Sequence, residues 1–426
     1  MSKTFFTKFF SAFLIVMLAL GALPVTQARA ATLTVTTNAG GAVAIDGECS
    51  LREAIINANN DLATNVDCLA GTGADIIQFS AAVTTITVTG LALPAITDAD
   101  GLSIDGGGDV TVDGGGAFRI FNVNGGAFTV QNITLSNGQA AAGNGGAILY
   151  AGGAGLTVSS STFNTNRTTA AAGLGGAIYH TTGTLSITNS TFDGNYTGSN
   201  GGAVYIANGT GTMTITNSAF TNQKNATLND GAALYLALGT LEINGGNFTG
   251  NSTVGGNGGA IFQNGGSLTV GNTASVSFIN NSSSGHGGGI SSHNGGTLIV
   301  TGTFTGNSGS FGGALFYLTS AGTFTVSNST FTNNTAVIGN AGAIRSGGNL
   351  TLTNSTFTNN SAAGNGGAIW HTTNSLSISG STFDGNYTSA LGDGGAIYLV
   401  SASGTATVDN TNFNNQNNVL IDDGAG

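Results

Sequence analysis

The chain has 426 residues, a formal net charge of −11, 72 glycines, 2 prolines and only 6% charged residues. Charges this sparse and this acidic leave no basic stripe for nucleic acid, and a hydrophobic content of 40% is too high for a disordered polar tract. The length would ordinarily mean two or three globular domains, but repetition organises this chain instead.

Residues 1–30 read as a secretory signal. Lys3 and Lys8 precede the apolar run Phe9 to Leu23, and Ala28-Arg29-Ala30 is a small-x-small cleavage site. The run is short for a bilayer span, so no transmembrane segment is expected after signal removal. Losing Lys3, Lys8 and Arg29, and no acid, takes the net charge from −11 to about −14. The expected location is secreted or at the cell surface. Two cysteines in an exported chain, Cys49 and Cys68, are expected to form one disulfide.

Residues 31–75 do not repeat and are expected to form an N-terminal cap. Ala31 to Thr37 alternates like a strand. Ser50 followed by Glu53 is a capping box, and Leu51, Ala54, Ile55 and Ala58 share one helical face. This predicts a short helix over residues 51–59, placed to cover the open end of the first coil. Residues 76–140 contain short strand-like runs ended by Gly or Asp, such as Ile76 to Phe79, Thr85 to Thr89 and Phe128 to Val130. They read as the first, irregular coils.

From 141 to 426 one word recurs. Blocks close to Gly-Gly-Ala-Ile end at Ile148, Ile178, Val204, Leu234, Ile261, Ile290, Leu315, Ile344, Ile369 and Ile397, at intervals of 25 to 30 residues. A second word, Phe-x-x-Asn, follows most of them, as in Phe163 with Asn166 and Phe357 with Asn360. A fixed period of this size means a solenoid. Each repeat is expected to supply three short strands, the third carrying the Phe, which makes the fold all-β: a parallel β-helix with a short N-terminal capping helix. Stacked Asn amides are expected to hydrogen-bond between coils. The segment Gly175 to Thr182 returns as Gly366 to Thr373, a shift of 191 residues, or seven coils. Asp423-Gly424-Ala425 resembles the repeat opening Asp230-Gly231-Ala232, as expected of a chain cut within a repeat.

Gly-Gly-Ala-Ile paired with Phe-x-x-Asn resembles the repeats of chlamydial polymorphic outer membrane proteins. Cys49-Ser50-Leu51-Arg52-Glu53-Ala54 resembles the CSLREA segment that opens many secreted bacterial β-helix proteins. The resemblance implies a right-handed, pectin-lyase-like parallel β-helix and adhesin-like display. The chain departs from the repeat at Gln223 and Gln416, where Asn is expected, and no segment of its 426 residues is expected to form that family's transporter barrel.

No catalytic residue is carried over. Gly285-His286-Gly287 matches the Gly-His-Gly of polygalacturonases, but His286 falls where other repeats have Asn144, Asn257 and Asn365. Asp193 and Asp384 are isolated in their columns, whereas glycoside hydrolysis wants two carboxylates flanking one bond. A polysaccharide-acting enzyme is thus the runner-up to a non-catalytic binding rod, with a purely structural spacer as a third reading. No cofactor is required, although Asp98, Asp100, Asp105, Asp109 and Asp113 could offer calcium its oxygen ligands. His180 and His371 are duplicates that read as packed or surface polar groups. The sharpest candidate is the column just after each Ile: Tyr179, Tyr205, Tyr235, Phe262, Phe316, Trp370 and Tyr398, interrupted by Ser291 and Arg345. Alternation turns this column outward. An exposed aromatic stripe would suit sugar rings or a cell-surface protein as partner.

Overall fold

The computed structural model describes residues 29–418 apart from 227, 295, 319–321, 373, 390, 391 and 401–403. All but the last two residues of the expected signal lie outside the described residues, as does the Asp423 corner.

One coil states the rule for the rest. Its strands are Ile178–His180, Thr184–Thr188, Thr191–Asp193 and Tyr196–Thr197. Each pairs in parallel with its counterparts one coil before and one coil after. Tyr179 lies between Leu149 and Tyr205, Ile187 between Val158 and Ile215, and Phe192 between Phe163 and Phe220. Among the described residues this stacking builds three parallel sheets, two of eleven strands and one of twenty-three. The large sheet holds both the second and third strands, because these fuse in places, as in Thr212–Thr221 and Thr240–Thr249. The result is a β-solenoid of about twelve turns, roughly 60 Å long at one inter-strand spacing per turn.

The expectation of three strands per repeat needs correction. A fourth, two-residue strand follows the ladder residue in each regular coil, as at Arg167–Thr168 after Asn166 and Lys224–Asn225 after Gln223. Two residues are too few for an alternation to show in sequence.

The interior is built from columns. Phe163, Phe192, Phe220, Phe248, Phe278, Phe304, Phe331, Phe357 and Phe383 stack ring on ring, with centroids 4.6 to 5.0 Å apart, and all are fully buried. Each coil adds one ring at the strand spacing, so the stack is continuous. Beside it runs the Asn ladder. Asn307 is fully buried; its Nδ2 donates to the Phe278 carbonyl at 2.9 Å and to Asn334 Oδ1 at 3.0 Å. Its own Oδ1 accepts from the backbone N–H and Nδ2 of Asn281, both at 3.0 Å. The full pattern recurs at Asn281, Asn334 and Asn360, and its two donor bonds at Asn166 and Asn251, whose oxygens each accept a single backbone N–H. Every side-chain nitrogen and oxygen of the buried Asn column thereby finds at least one partner, which is what makes a polar column tolerable inside. Gln223 keeps part of the pattern: its Oε1 accepts from Asn195 N–H at 3.0 Å and its Nε2 donates to the Phe192 carbonyl at 2.7 Å, but the second Nε2 hydrogen turns back to Thr221. A second set of asparagines does different work. Asn189, Asn217, Asn280, Asn328 and Asn354 hold left-handed corners at φ near +50°, a conformation Asn tolerates better than most residues. The second Gly of each repeat block packs on the backbone of the next coil; a Cβ on Gly176 would collide with the Gly202 carbonyl.

The cap forms as expected, and its short motif is used residue by residue. The helix is Leu51–Asn60, with Ser50 as N-cap and both halves of the capping box made with Glu53. Cys49 is bonded to Cys68. Leu51 and Ala54 are buried in the core. Arg52, 4% exposed, donates through Nη1 and Nη2 to the Ala92 and Leu91 carbonyls at 2.8 Å, and through Nε to the Gly41 carbonyl. Arg52 thus joins the helix to the first coils, a role its sequence position alone does not announce.

Candidate functional site

The middle residue of each Gly-Gly-Ala-Ile strand points away from the core, and these residues form a column on the outer face of one eleven-stranded sheet. In the first half the rings stack directly. Centroids are 5.4 Å apart for Tyr179 and Tyr205, 4.8 Å for Tyr205 and Tyr235, and 5.1 Å for Tyr235 and Phe262.

The stripe is not evenly exposed. Tyr179, Tyr205, Trp370 and Tyr398 are half-buried, whereas Tyr235, Phe262 and Phe316 are only 7%, 4% and 1% exposed. The expectation of one open aromatic stripe therefore divides into two accessible ends and a covered middle. The cover comes from side chains outside the column. At Ser291, where the column has no ring, His293 folds back, placing its Nε2 3.0 Å from the Ser291 hydroxyl and its ring 4.9 Å from Phe262 and 5.5 Å from Phe316. His286 stacks on Phe316 at 4.2 Å and meets Phe311 edge-on at 5.2 Å. Phe311 and His286 occupy the corner column that elsewhere holds Asn144, Leu174, Asn200, Asp230, Asn257, Asn340, Asn365 and Asp393. In that column the side-chain oxygen of one coil accepts from the backbone N–H of the next, as from Asn257 to Asp230 at 2.7 Å and from His286 to Asn257 at 2.9 Å; the hydrogen-bond chain stops where rings replace amides.

Arg345 fills the second gap. Its guanidinium lies 4.8 Å from the Phe316 centroid, 4.6 Å from Trp370 and 5.2 Å from Phe311. Among the described residues it makes no hydrogen bond or ion pair, and its Nε is buried without a partner. Burial lowers its pKa and those of His286 and His293; His293 falls to about 4, first through desolvation and then through the neighbouring His286. The histidines are therefore neutral at pH 7. The same desolvation raises the phenols of Tyr179, Tyr205 and Tyr235.

His180 and His371 are at 0% and 1% exposure, facing inward, with Nε2 3.1 Å from the Thr184 carbonyl and 2.8 Å from that of Asn374. Asp193 accepts from Thr221 and Asn222, and Asp384 from Asn415, so each carboxylate ties neighbouring coils together. The early aspartates serve separate turns. Asp98 accepts from the N–H of Asp100 and Gly101, Asp105 from Gly107 N–H, Gln131 and Asn132, and Asp113 from Gly115 N–H and Asn137. Among the described residues no three His, Cys, Asp or Glu side chains converge as metal ligands. Asp98 is 4% exposed with Oδ2 unpartnered, and burial raises its pKa to about 6. An open cleft of about 410 Å³ is lined by Thr87, Asp113, Asn137, Thr165 and Arg167, but its polar groups are largely bonded to one another.

Comparison with known proteins matches three stretches, residues 189–207, 275–293 and 354–372, to the Chlamydia polymorphic membrane protein repeat. No curated protein and no solved structure matches the chain. Each matched stretch runs from the Phe-x-x-Asn word through the following Gly-Gly block. The match thus rests on the residues that make the corners, the internal ladders and the close coil contacts.

Proposed function

We propose that the chain is a secreted or surface-displayed β-helix rod that acts as a non-catalytic, adhesin-like binding module. The supporting observation is the outer aromatic column, with its half-buried rings at Tyr179 and Tyr205 and again at Trp370 and Tyr398. Half-buried rings offer large apolar faces at little rotamer cost, and a sugar or a cell-surface protein is the partner they suit. The matched repeat belongs by name to chlamydial membrane proteins, which favours display outside the cell. The spacer reading keeps one specific observation in its favour, the burial of Tyr235, Phe262 and Phe316.

The test is a pair of variants on the chain from residue 31. Tyr205→Ala is expected to keep the melting temperature within a few degrees, because no internal cavity forms, and to weaken retention on a glycan or cell-surface array by about 1–3 kcal/mol. An unchanged array profile for Tyr205→Ala and for Trp370→Ala would leave the column as mere stabilisation and favour the spacer.

A further inference from the structure

Arg345 has a setting shared by no other cation among the described residues. Between Glu242 and Asp384 the sequence contains no Asp, no Glu, no Lys and no Arg except Arg345. A protein with a net charge of −11 thus carries a stretch of about five coils whose only formal charge is positive. That charge sits on the outer face, in the column of rings. The nearest acid along the corner column is Asp393, two coils beyond Arg345, or roughly 10 Å at the coil spacing. The groups that face the guanidinium are Phe311, Phe316 and Trp370, with His286 and His293 behind them. None can neutralise it.

A ring at position 345 would continue the column without desolvating a charge. The repeat supplies Tyr at Tyr179, Tyr205 and Tyr235, so the aromatic solution is available to this fold. Setting an arginine between Phe316 and Trp370 instead, with Cζ 4.8 and 4.6 Å from their centroids, holds its fork within the ring column. Its Nε is buried, which leaves the terminal nitrogens as the donors for a carboxylate or sulfate oxygen pair. Trp370 and Tyr398, on the next two coils, are half-buried and do not stack on each other, so their rings remain available to a ligand lying along the coil axis. The coil step of about 4.8 Å is close to the length of one pyranose unit.

We infer that Arg345, with Trp370 and Tyr398, forms a subsite for an acidic glycan, in which the guanidinium edge takes a pendant carboxylate or sulfate while the rings carry the sugar faces. This rests on the binding-module reading above and names the ligand class for one end of the column. An acidic peptide is the less suitable occupant, because the strands that carry Arg345 and Trp370 are already paired on both sides within the sheet and offer it no backbone edge.

The experiment measures binding of the chain from residue 31 to chondroitin, which bears carboxylates; to chondroitin sulfate, which bears both anions; to methyl-esterified chondroitin, which bears neither; and to a neutral chitin oligosaccharide. The expected result is binding to one or both acidic forms, at least about tenfold tighter than to the ester, weakening as salt is raised. Preference for chondroitin sulfate over chondroitin would identify sulfate as the anion, and equal binding would identify carboxylate. Arg345→Tyr, which restores the ring column, is expected to abolish the preference while keeping the melting temperature and any neutral-glycan binding. Wild-type protein that binds the ester as well as the acid overturns the inference without using any variant. Binding of acidic glycans unchanged in Arg345→Tyr overturns it as well. Neutral-glycan binding that depends on Tyr205 but shows no acid preference would remove only this inference; failure to bind any glycan or cell surface would remove the parent reading too.

Discussion

Replacing Asn307 with Ala should cost far more than its size suggests. The side chain makes four hydrogen bonds in a place with no access to water. Truncation orphans the Asn281 backbone N–H and one Asn281 amide hydrogen and takes the side-chain donor from the Phe278 carbonyl, while Asn334 Oδ1 keeps the backbone N–H of residue 307 at 3.0 Å. Three buried groups deprived of a partner at about 1–3 kcal/mol each, partly relieved by relaxation, give a loss of roughly 3–6 kcal/mol. Asn307→Gln should cost less, about 1–3 kcal/mol, because Gln223 already shows how the longer amide keeps one acceptor and one donor contact. The control is Asn280→Gly. Asn280 is exposed and holds a corner at φ +52°, which Gly adopts freely, so the cost should stay under about 1 kcal/mol. A solenoid opens locally rather than as one unit, so hydrogen exchange of the amides over residues 276–309 is the suitable assay. The reasoning fails if Asn307→Ala raises exchange in that segment no more than Asn280→Gly does.

Phe331→Ala removes one ring from the internal stack between Phe304 and Phe357; it should destabilise by about 3–5 kcal/mol, read as a lower denaturant midpoint. Cys49→Ser with Cys68→Ser opens a loop of 19 residues and should cost about 3 kcal/mol at the cap, seen as faster exchange over residues 51–60, with the far coils unaffected. Asp98→Asn should raise the melting temperature at pH 7, since the folded carboxyl has its pKa raised to about 6 against 3.8. Protonation of the folded form supplies the same relief, so the advantage should vanish as pH falls from 6 toward 4. His293 works in the opposite sense: with its folded pKa lowered to about 4, the unfolded chain takes up a proton below pH 6.5 that the folded chain refuses. Its contribution is complete above pH 6.5 and is lost as pH falls toward 4, so His293→Gln should flatten the acid limb of the melting curve.

Much of the architecture was legible because a solenoid writes its structure once per turn. The interval between Gly-Gly-Ala-Ile blocks implied coils, the Phe column implied an internal stack, and Ser50 with Glu53 implied the helix that caps them. What could not be read were features that arise between coils. The burial of Tyr235, Phe262 and Phe316 depends on side chains that reach across the face, such as His293 folding back over Ser291, and strand alternation says nothing of these. The fourth strand is two residues long and carries no pattern. Arg52 gives no sign in sequence that three carbonyls from distant turns wait for it. Phe311 was a missed residue with a usable signal, since it stands in a corner column where the repeat, Leu174 apart, places Asn, Asp or His.

That signal generalises to the question of function. The repeat words specify corners, ladders and coil contacts, so wherever they are obeyed they report only on the fold. Information about a ligand must sit where they are broken. On the outer face breaks gather in neighbouring coils at His286 and Phe311 in the corner column and Ser291 and Arg345 in the aromatic one, with Leu149 and Leu174 standing apart in earlier coils. The long internal duplication supplies a natural comparison. Tyr179 and Trp370, His180 and His371, Phe192 and Phe383, and Asp193 and Asp384 occupy matching places 191 residues apart. In the coil preceding each copy, however, Leu149 pairs with Tyr179 where Arg345 pairs with Trp370. The two windows share a backbone course and a similar inward core, and in the outer column they differ at Leu149 against Arg345 and at Tyr179 against Trp370. Stability alone gives no reason for that difference, since the leucine copy is fully formed. A ligand that reads charge would engage the window at Trp370 and ignore the one at Tyr179, so the contrast between two copies within one molecule separates recognition from packing.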